Sequence, residues 1–75
     1  VPYYITLGGK EAVEGPILPC KGREFVLVVN GVLSVTINGE EYLLRKGESI
    51  HIDQAFVERW SNHGKNNCEI IYIQL

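Results

Sequence analysis

The stretch NGVLSVTING, residues 30–39, decides how this chain folds. Leu33, Val35 and Ile37 alternate with Ser34 and Thr36. That period of two turns one face of a strand toward a core and the other toward water. An Asn-Gly pair stands at each end, and Asn-Gly is the pair that most readily takes the positive φ values of a tight hairpin. A short amphipathic strand between two hairpin signals sets an all-β reading, and the rest of the chain is assigned outward from it.

Before it, EFVLVV (24–29) reads as a strand. After it, EEYLL (40–44) returns, and Lys46-Gly47 turns into ESIHI (48–52), with Ile50 and Ile52 on one face and Ser49 and His51 on the other. FVERWS (56–61), the polar loop NHGKNN (62–67) and the closing strand CEIIYIQL (68–75) follow. At the other end, YYITL (3–7) is a first strand. Residues 8–19 hold Gly8, Gly9, Gly15, Pro16 and Pro19, which predicts loop or irregular edge. No window of helical length shows a period of 3.6. About seven or eight short, regularly spaced strands predict an antiparallel sandwich or small barrel with an inside face where a site can be built.

Composition narrows the function. Seventy-five residues make one small domain, and an apolar fraction of 45% supports a packed core. The charged fraction is 21% and the net charge is -2, with nine acidic residues against seven basic ones. This balance, with no basic cluster, excludes a phosphate-binding surface and predicts no direct contact with nucleic acid. Two cysteines, Cys20 and Cys68, are too few for a disulfide framework. No apolar run reaches the length of a membrane span, and no signal peptide is visible, so the expected location is cytoplasmic. The sequence opens on Val1 and contains no Met, which predicts a single domain over 1–75 excised from a longer protein.

The spacing of a few anchors resembles the cupin superfamily of small β-barrel or jelly-roll domains. In that family the first motif closes with two histidines, a glutamate, six residues and a glycine; here Glu24 is followed by six residues and Gly31. The second motif runs from a glycine to an asparagine, and Gly47 and Asn62 stand at its two ends with the family's spacing. The likeness covers residues 17–75. The departures bear on function. The two histidines of the first motif fall on Leu18 and Cys20, and the histidine of the second falls on Glu58. The proline and glycine of the second fall on Asp53 and Ala55. Of the four family metal ligands, only Glu24 is retained. Leu18 cannot ligate, and a soft thiolate with two hard carboxylates suits no common oxygenase metal. The resemblance therefore implies no cofactor, with Cys20, Glu24 and Glu58 as weak candidates for a metal.

Residues 18, 20 and 24 share one parity, which on a regular strand aims them at one face, and the resemblance makes that face the barrel interior. Glu24 is then an inward carboxylate that needs a partner. Glu58 is the second inward candidate, and Trp60 shares its parity. The expected ligand-binding set is Glu24, Glu58, Cys20, Trp60 and Leu18, with no catalytic residue assigned. Cys20 reads more readily as a small hydrophobe than as a nucleophile. His51 falls on the outer face, His63 in a surface loop, and the charges of GEEYLLRKGE (39–48) in water. Gly31 and Gly47 read as turn geometry.

The resemblance is strongest to the cupin domains that follow a helix-turn-helix domain in bacterial transcriptional regulators. It implies a sensory module that binds a small-molecule effector and forms a homodimer through an outer sheet face, which also protects sheet edges. The alternative is a metal-dependent cupin enzyme, an isomerase or dioxygenase with a degenerate ligand set. A third reading is a structural or storage role. Two inward carboxylates without a metal repel, so the expected effector is cationic or hydroxyl-rich.

Overall fold

The computed structural model of the chain describes residues 2–16, 22–53 and 57–75. Eight strands form two four-stranded antiparallel sheets, and no helix occurs among the described residues. In chain order they are β1 (Pro2–Leu7), β2 (Ala12–Glu14), β3 (Arg23–Asn30), β4 (Val32–Ile37), β5 (Glu40–Arg45), β6 (Ser49–Asp53), β7 (Val57–Ser61) and β8 (Cys68–Gln74). One sheet has the order β1-β8-β3-β6 and the other β2-β7-β4-β5. This is the jelly-roll barrel expected from the sequence. Within the loop-like stretch 8–19, the three residues of β2 form an edge strand on β7.

The two Asn-Gly pairs do different work. Asn38-Gly39 closes the hairpin between β4 and β5, with both residues at positive φ (51° and 79°) as a tight two-residue turn requires. Asn30-Gly31 makes no hairpin, because β3 and β4 lie in different sheets. Gly31, at φ 84°, turns the chain from one sheet to the other. A Cβ there would stand 2.9 Å from the Asn67 carbonyl oxygen, so the corner admits only glycine. Every connection except β4–β5 changes sheets, which wraps the strands around a single interior.

That interior is filled by Leu7, Val26, Val28, Leu33, Val35, Ile37, Leu44, Ile52, Val57, Trp60, Cys68, Ile70 and Tyr72. Alternation selects them: Leu33, Val35 and Ile37 from β4, Val26 and Val28 from β3, Ile70 and Tyr72 from β8. Burial pushes the Cys68 thiol above its ordinary range, so this free cysteine is a packed hydrophobe rather than a nucleophile.

Candidate functional site

Glu24 enters the interior from the start of β3, opposite Ile52 of β6 and Gln74 of β8. It is 5% exposed, and its Oε2 accepts a hydrogen bond from the Tyr72 hydroxyl. Tyr72 is fully buried and lies edge-on to Trp60, with ring centroids 6.2 Å apart and planes at 78°. On its other side stands Tyr3 of β1, its ring centroid 6.4 Å away. Tyr3 is 40% exposed, so the aromatic run reaches from the surface to the core. Trp60 is fully buried too, yet its Nε1–H has no hydrogen-bond partner among the described residues. The barrel interior thus holds a buried carboxylate, a buried phenol bonded to it, and beside the phenol ring an indole donor with no partner among the described residues. An unsatisfied buried donor costs about 1–3 kcal/mol, so the arrangement favours an acceptor atom coming to it.

Glu58 corrects the sequence reading. It is exposed, and its Oε1 accepts a 2.7 Å hydrogen bond from the Gly39 backbone N–H. The reason is a bulge: Thr36 pairs with Arg59 but Ile37 pairs with Val57, so Glu58 is the extra residue of β7. The bulge breaks the parity that put Glu58 on the inner face with Trp60. Val57 and Trp60 point inward instead, and Glu58 secures the β4–β5 turn. Repulsion between two inward carboxylates therefore does not arise.

Leu18 and Cys20 lie outside the described residues. Among the described residues no group of three or more His, Cys, Asp or Glu side chains converges. With Glu58 turned outward and Glu24 engaged by a phenol, the described donors do not fit the metal that the fold family implies. His51 is exposed on β6, as expected.

Tyr72 is a site residue that the sequence reading missed. Its signal was present: it shares the inward parity of Ile70, and a buried tyrosine needs a partner for its hydroxyl. Asn62, a spacing anchor of the second motif, has a structural role instead. It is buried, and its Nδ2 donates to the carbonyls of Leu7 (3.1 Å), Gly8 (3.1 Å) and Asn66 (2.7 Å), while its Oδ1 accepts from the Gly64 N–H at 3.0 Å. This one side chain ties the loop after β7 to the turn after β1, at the barrel end opposite Glu24.

On the outer face of the second sheet, Glu41 Oε2 accepts from Ser34 Oγ at 2.5 Å and lies 3.1 Å from His63 Nε2, which is also 3.1 Å from Ser61 Oγ. Because both contacts use the same ring nitrogen, the group is not a relay of the serine-hydrolase kind. The Ser34 hydroxyl, then His63, holds the Glu41 carboxyl below its ordinary value of 4.5. A carboxyl depressed on folding contributes stability above that value and loses it as pH falls. The denaturation midpoint is therefore expected to drop on acidification below pH 4.5, and to drop less in Ser34→Ala. Urea melts of the two proteins over a pH series check this.

The fold and its interior can be set beside known proteins. No curated protein matches the sequence. Among solved structures, the cupin domain of an XRE family transcriptional regulator from Enterobacter cloacae has a TM-score of 0.82 at 18% identity, over 95% of this chain and 75% of that one. The cupin domain of CENP-C from Drosophila melanogaster has a TM-score of 0.84 at 19% identity, over 99% of this chain and 59% of that one. A conserved barrel domain protein from Salinispora arenicola has a TM-score of 0.80 at 8% identity, over 95% and 58%. The chain spans between about half and three quarters of these neighbours, and at such identities they speak for the fold alone. The family model described as "Cupin domain" matches residues 5–74, nearly the whole sequence, and the chain belongs to the cupin domain family.

Proposed function

We propose that the domain binds a small-molecule effector at the Glu24 end of its barrel and serves as the sensory module of a cytoplasmic bacterial transcriptional regulator. The observation that carries this reading is a polar trio among the apolar core side chains: the Glu24 carboxylate, the Tyr72 hydroxyl and the Trp60 Nε1–H, the last with no partner among the described residues. A barrel that only had to fold would put aliphatic side chains there, because each buried polar group costs free energy unless it is paired. The structural likeness to the cupin domain of an XRE family regulator supports the regulatory context.

The ligand chemistry follows from the donors and acceptors. Glu24 takes a donor and Trp60 Nε1 offers one. A hydroxyl both donates and accepts, so a hydroxyl-rich compound serves both groups, and an amine serves Glu24 alone. The faces of Trp60, Tyr72 and Tyr3 suit an apolar side of the same molecule. The described donor set favours this over a metal-dependent isomerase or dioxygenase, and no helix among the described residues is long and apolar enough to cross a membrane.

A thermal-shift panel of monosaccharides, polyols, amines and simple carboxylic acids tests the reading. At least one hydroxyl-rich or cationic compound should raise the melting temperature of the wild type and leave Glu24→Gln unchanged. Stabilisation by anions alone, or a Glu24→Gln variant that does not fold, would make Glu24 a structural partner. A further expected outcome concerns metals: iron, manganese, nickel and zinc should each fall well below one per chain after dialysis against a chelator. Elemental analysis reads this directly, and a near-stoichiometric metal would restore the enzyme reading.

A further inference from the structure

Three aromatic rings connect the core to the surface. Trp60 of β7 is fully buried, Tyr72 of β8 lies edge-on to it at 6.2 Å between centroids, and Tyr3 of β1 stands 6.4 Å from Tyr72 and is 40% exposed. Indole and phenol rings give up one electron more readily than almost any other side chain, and rings in near contact pass it on quickly. The middle ring carries a feature that a hydrophobic cluster does not need: its hydroxyl donates to the buried Glu24 carboxylate. We propose that Trp60, Tyr72 and Tyr3 form a path for one-electron oxidation, with Glu24 as the proton acceptor of Tyr72, which carries an oxidising equivalent from the barrel core to a reductant in water.

The proton acceptors set the direction. A one-electron oxidant, or light with a soluble electron acceptor, takes an electron from Trp60 and leaves the indole as a radical cation. Its Nε1–H, a donor only, has no partner among the described residues, so the charge stays on the ring and the ring remains a strong oxidant. A phenol resists oxidation while it keeps its proton, because the radical cation it would form is a strong acid. Tyr72 avoids that state. One electron passes from its ring to Trp60, its O–H bond breaks, and the proton moves along the existing hydrogen bond to Glu24 Oε2. Trp60 is restored, and Tyr72 is a neutral radical beside a protonated Glu24. Tyr3 then supplies an electron to Tyr72, Glu24 returns the proton to the Tyr72 oxygen, and Tyr3 releases its own phenol proton to water. A soluble hydrogen-atom donor, ascorbate or a thiol, restores Tyr3. The net change is one electron moved from that donor to the oxidant and one proton released to water, with every side chain returned to its starting state. The path shares side chains with the proposed effector site but needs no effector, so it stands or falls apart from that reading.

Laser flash photolysis tests the path, with excitation at the red edge of indole absorption, where tyrosine is transparent, and a cobalt(III) ammine as the irreversible electron acceptor. Trp60 is the only tryptophan, so the hole starts at one place. In the wild type the indole radical signal should decay as a tyrosyl signal grows, and ascorbate should remove the latter. Folded Tyr72→Phe should show a long-lived indole radical and no tyrosyl signal. Glu24→Gln keeps an acceptor for the hydroxyl but not a base, and should slow the transfer by about tenfold or more, the weight of a hydrogen bond to a charged group. Tyr3→Phe, at the exposed end, should keep the tyrosyl signal and slow its removal by ascorbate.

An indole radical that decays in the wild type with no tyrosyl signal would overturn the proposal, whatever the variants do. So would an undiminished tyrosyl signal in Tyr72→Phe, transfer as fast in folded Glu24→Gln as in the wild type, or ascorbate acting as quickly on Tyr3→Phe. Loss of the signal in Tyr42→Phe would assign the hole to a different route, because Tyr42 lies two strands from Trp60 across β4.

Discussion

Asn62→Asp is expected to remove a large part of the domain's stability. The substitution keeps the shape of the side chain and removes its two N–H donors. Those donors hold the carbonyls of Leu7, Gly8 and Asn66, and a carboxylate oxygen in their place would face three carbonyl oxygens at about hydrogen-bond distance. Each buried group left unsatisfied costs about 1–3 kcal/mol, and an added negative charge costs more. A loss of about 3–5 kcal/mol compares with a total stability of roughly 4–11 kcal/mol for 75 residues. The melting temperature should fall by about 15 °C or more. Asn66→Asp, at an exposed position of the same loop, should stay within about 0.5 kcal/mol of the wild type. Urea or thermal melts of the two variants separate a local tie from general sensitivity of the loop.

Trp60 supplies the second large effect, and its two truncations should differ widely. Trp60→Ala empties the largest fully buried side chain of the core and should cost about 3–5 kcal/mol. Trp60→Phe keeps most of the packing and removes the unpartnered Nε1–H, so relief of that penalty offsets part of the lost volume. Its cost should be about 1 kcal/mol. The same variant should bind a hydroxyl-rich effector about fivefold more weakly, since one hydrogen bond is worth about 1 kcal/mol. A Trp60→Phe protein as unstable as Trp60→Ala would mean that the indole nitrogen is better satisfied than its surroundings indicate.

Alternation made much of the barrel legible in the sequence. Leu33, Val35 and Ile37 face inward as their period of two requires, and Asn38-Gly39 turns where its positive φ values allow. The same two rules misled where tertiary context intervened. Asn30-Gly31 looks like a hairpin, yet Gly31 presses against the Asn67 backbone and carries the chain into the other sheet. That contact joins residues far apart in sequence, and no local pattern records it. On β7 the inserted residue at Glu58 shifts the inward set from 58 and 60 to 57 and 60. A parity argument cannot see a bulge, so the predicted pair of carboxylates dissolved while Glu24 and Trp60 kept their places. The inward parity of Tyr72 is legible in the sequence, but its partner Glu24 is 48 residues away, and only the pairing of β8 with β3 joins the two.

The correction at Glu58 sharpens the functional claim. Glu24 and Glu58 were candidates of equal standing in the sequence, and only Glu24 reaches the interior. A recognition site built on the barrel interior depends on the first and not on the second.

The emission of Trp60, the only tryptophan in the chain, reports on that interior directly. It should be followed in the wild type, Glu24→Gln and Glu58→Gln while the best hydroxyl-rich compound from the thermal-shift panel is added. A saturable change with the same midpoint in the wild type and Glu58→Gln, and none in Glu24→Gln, is the predicted result. A midpoint that is unchanged in Glu24→Gln, or a response lost in Glu58→Gln, would contradict an effector site on the Glu24, Tyr72 and Trp60 trio.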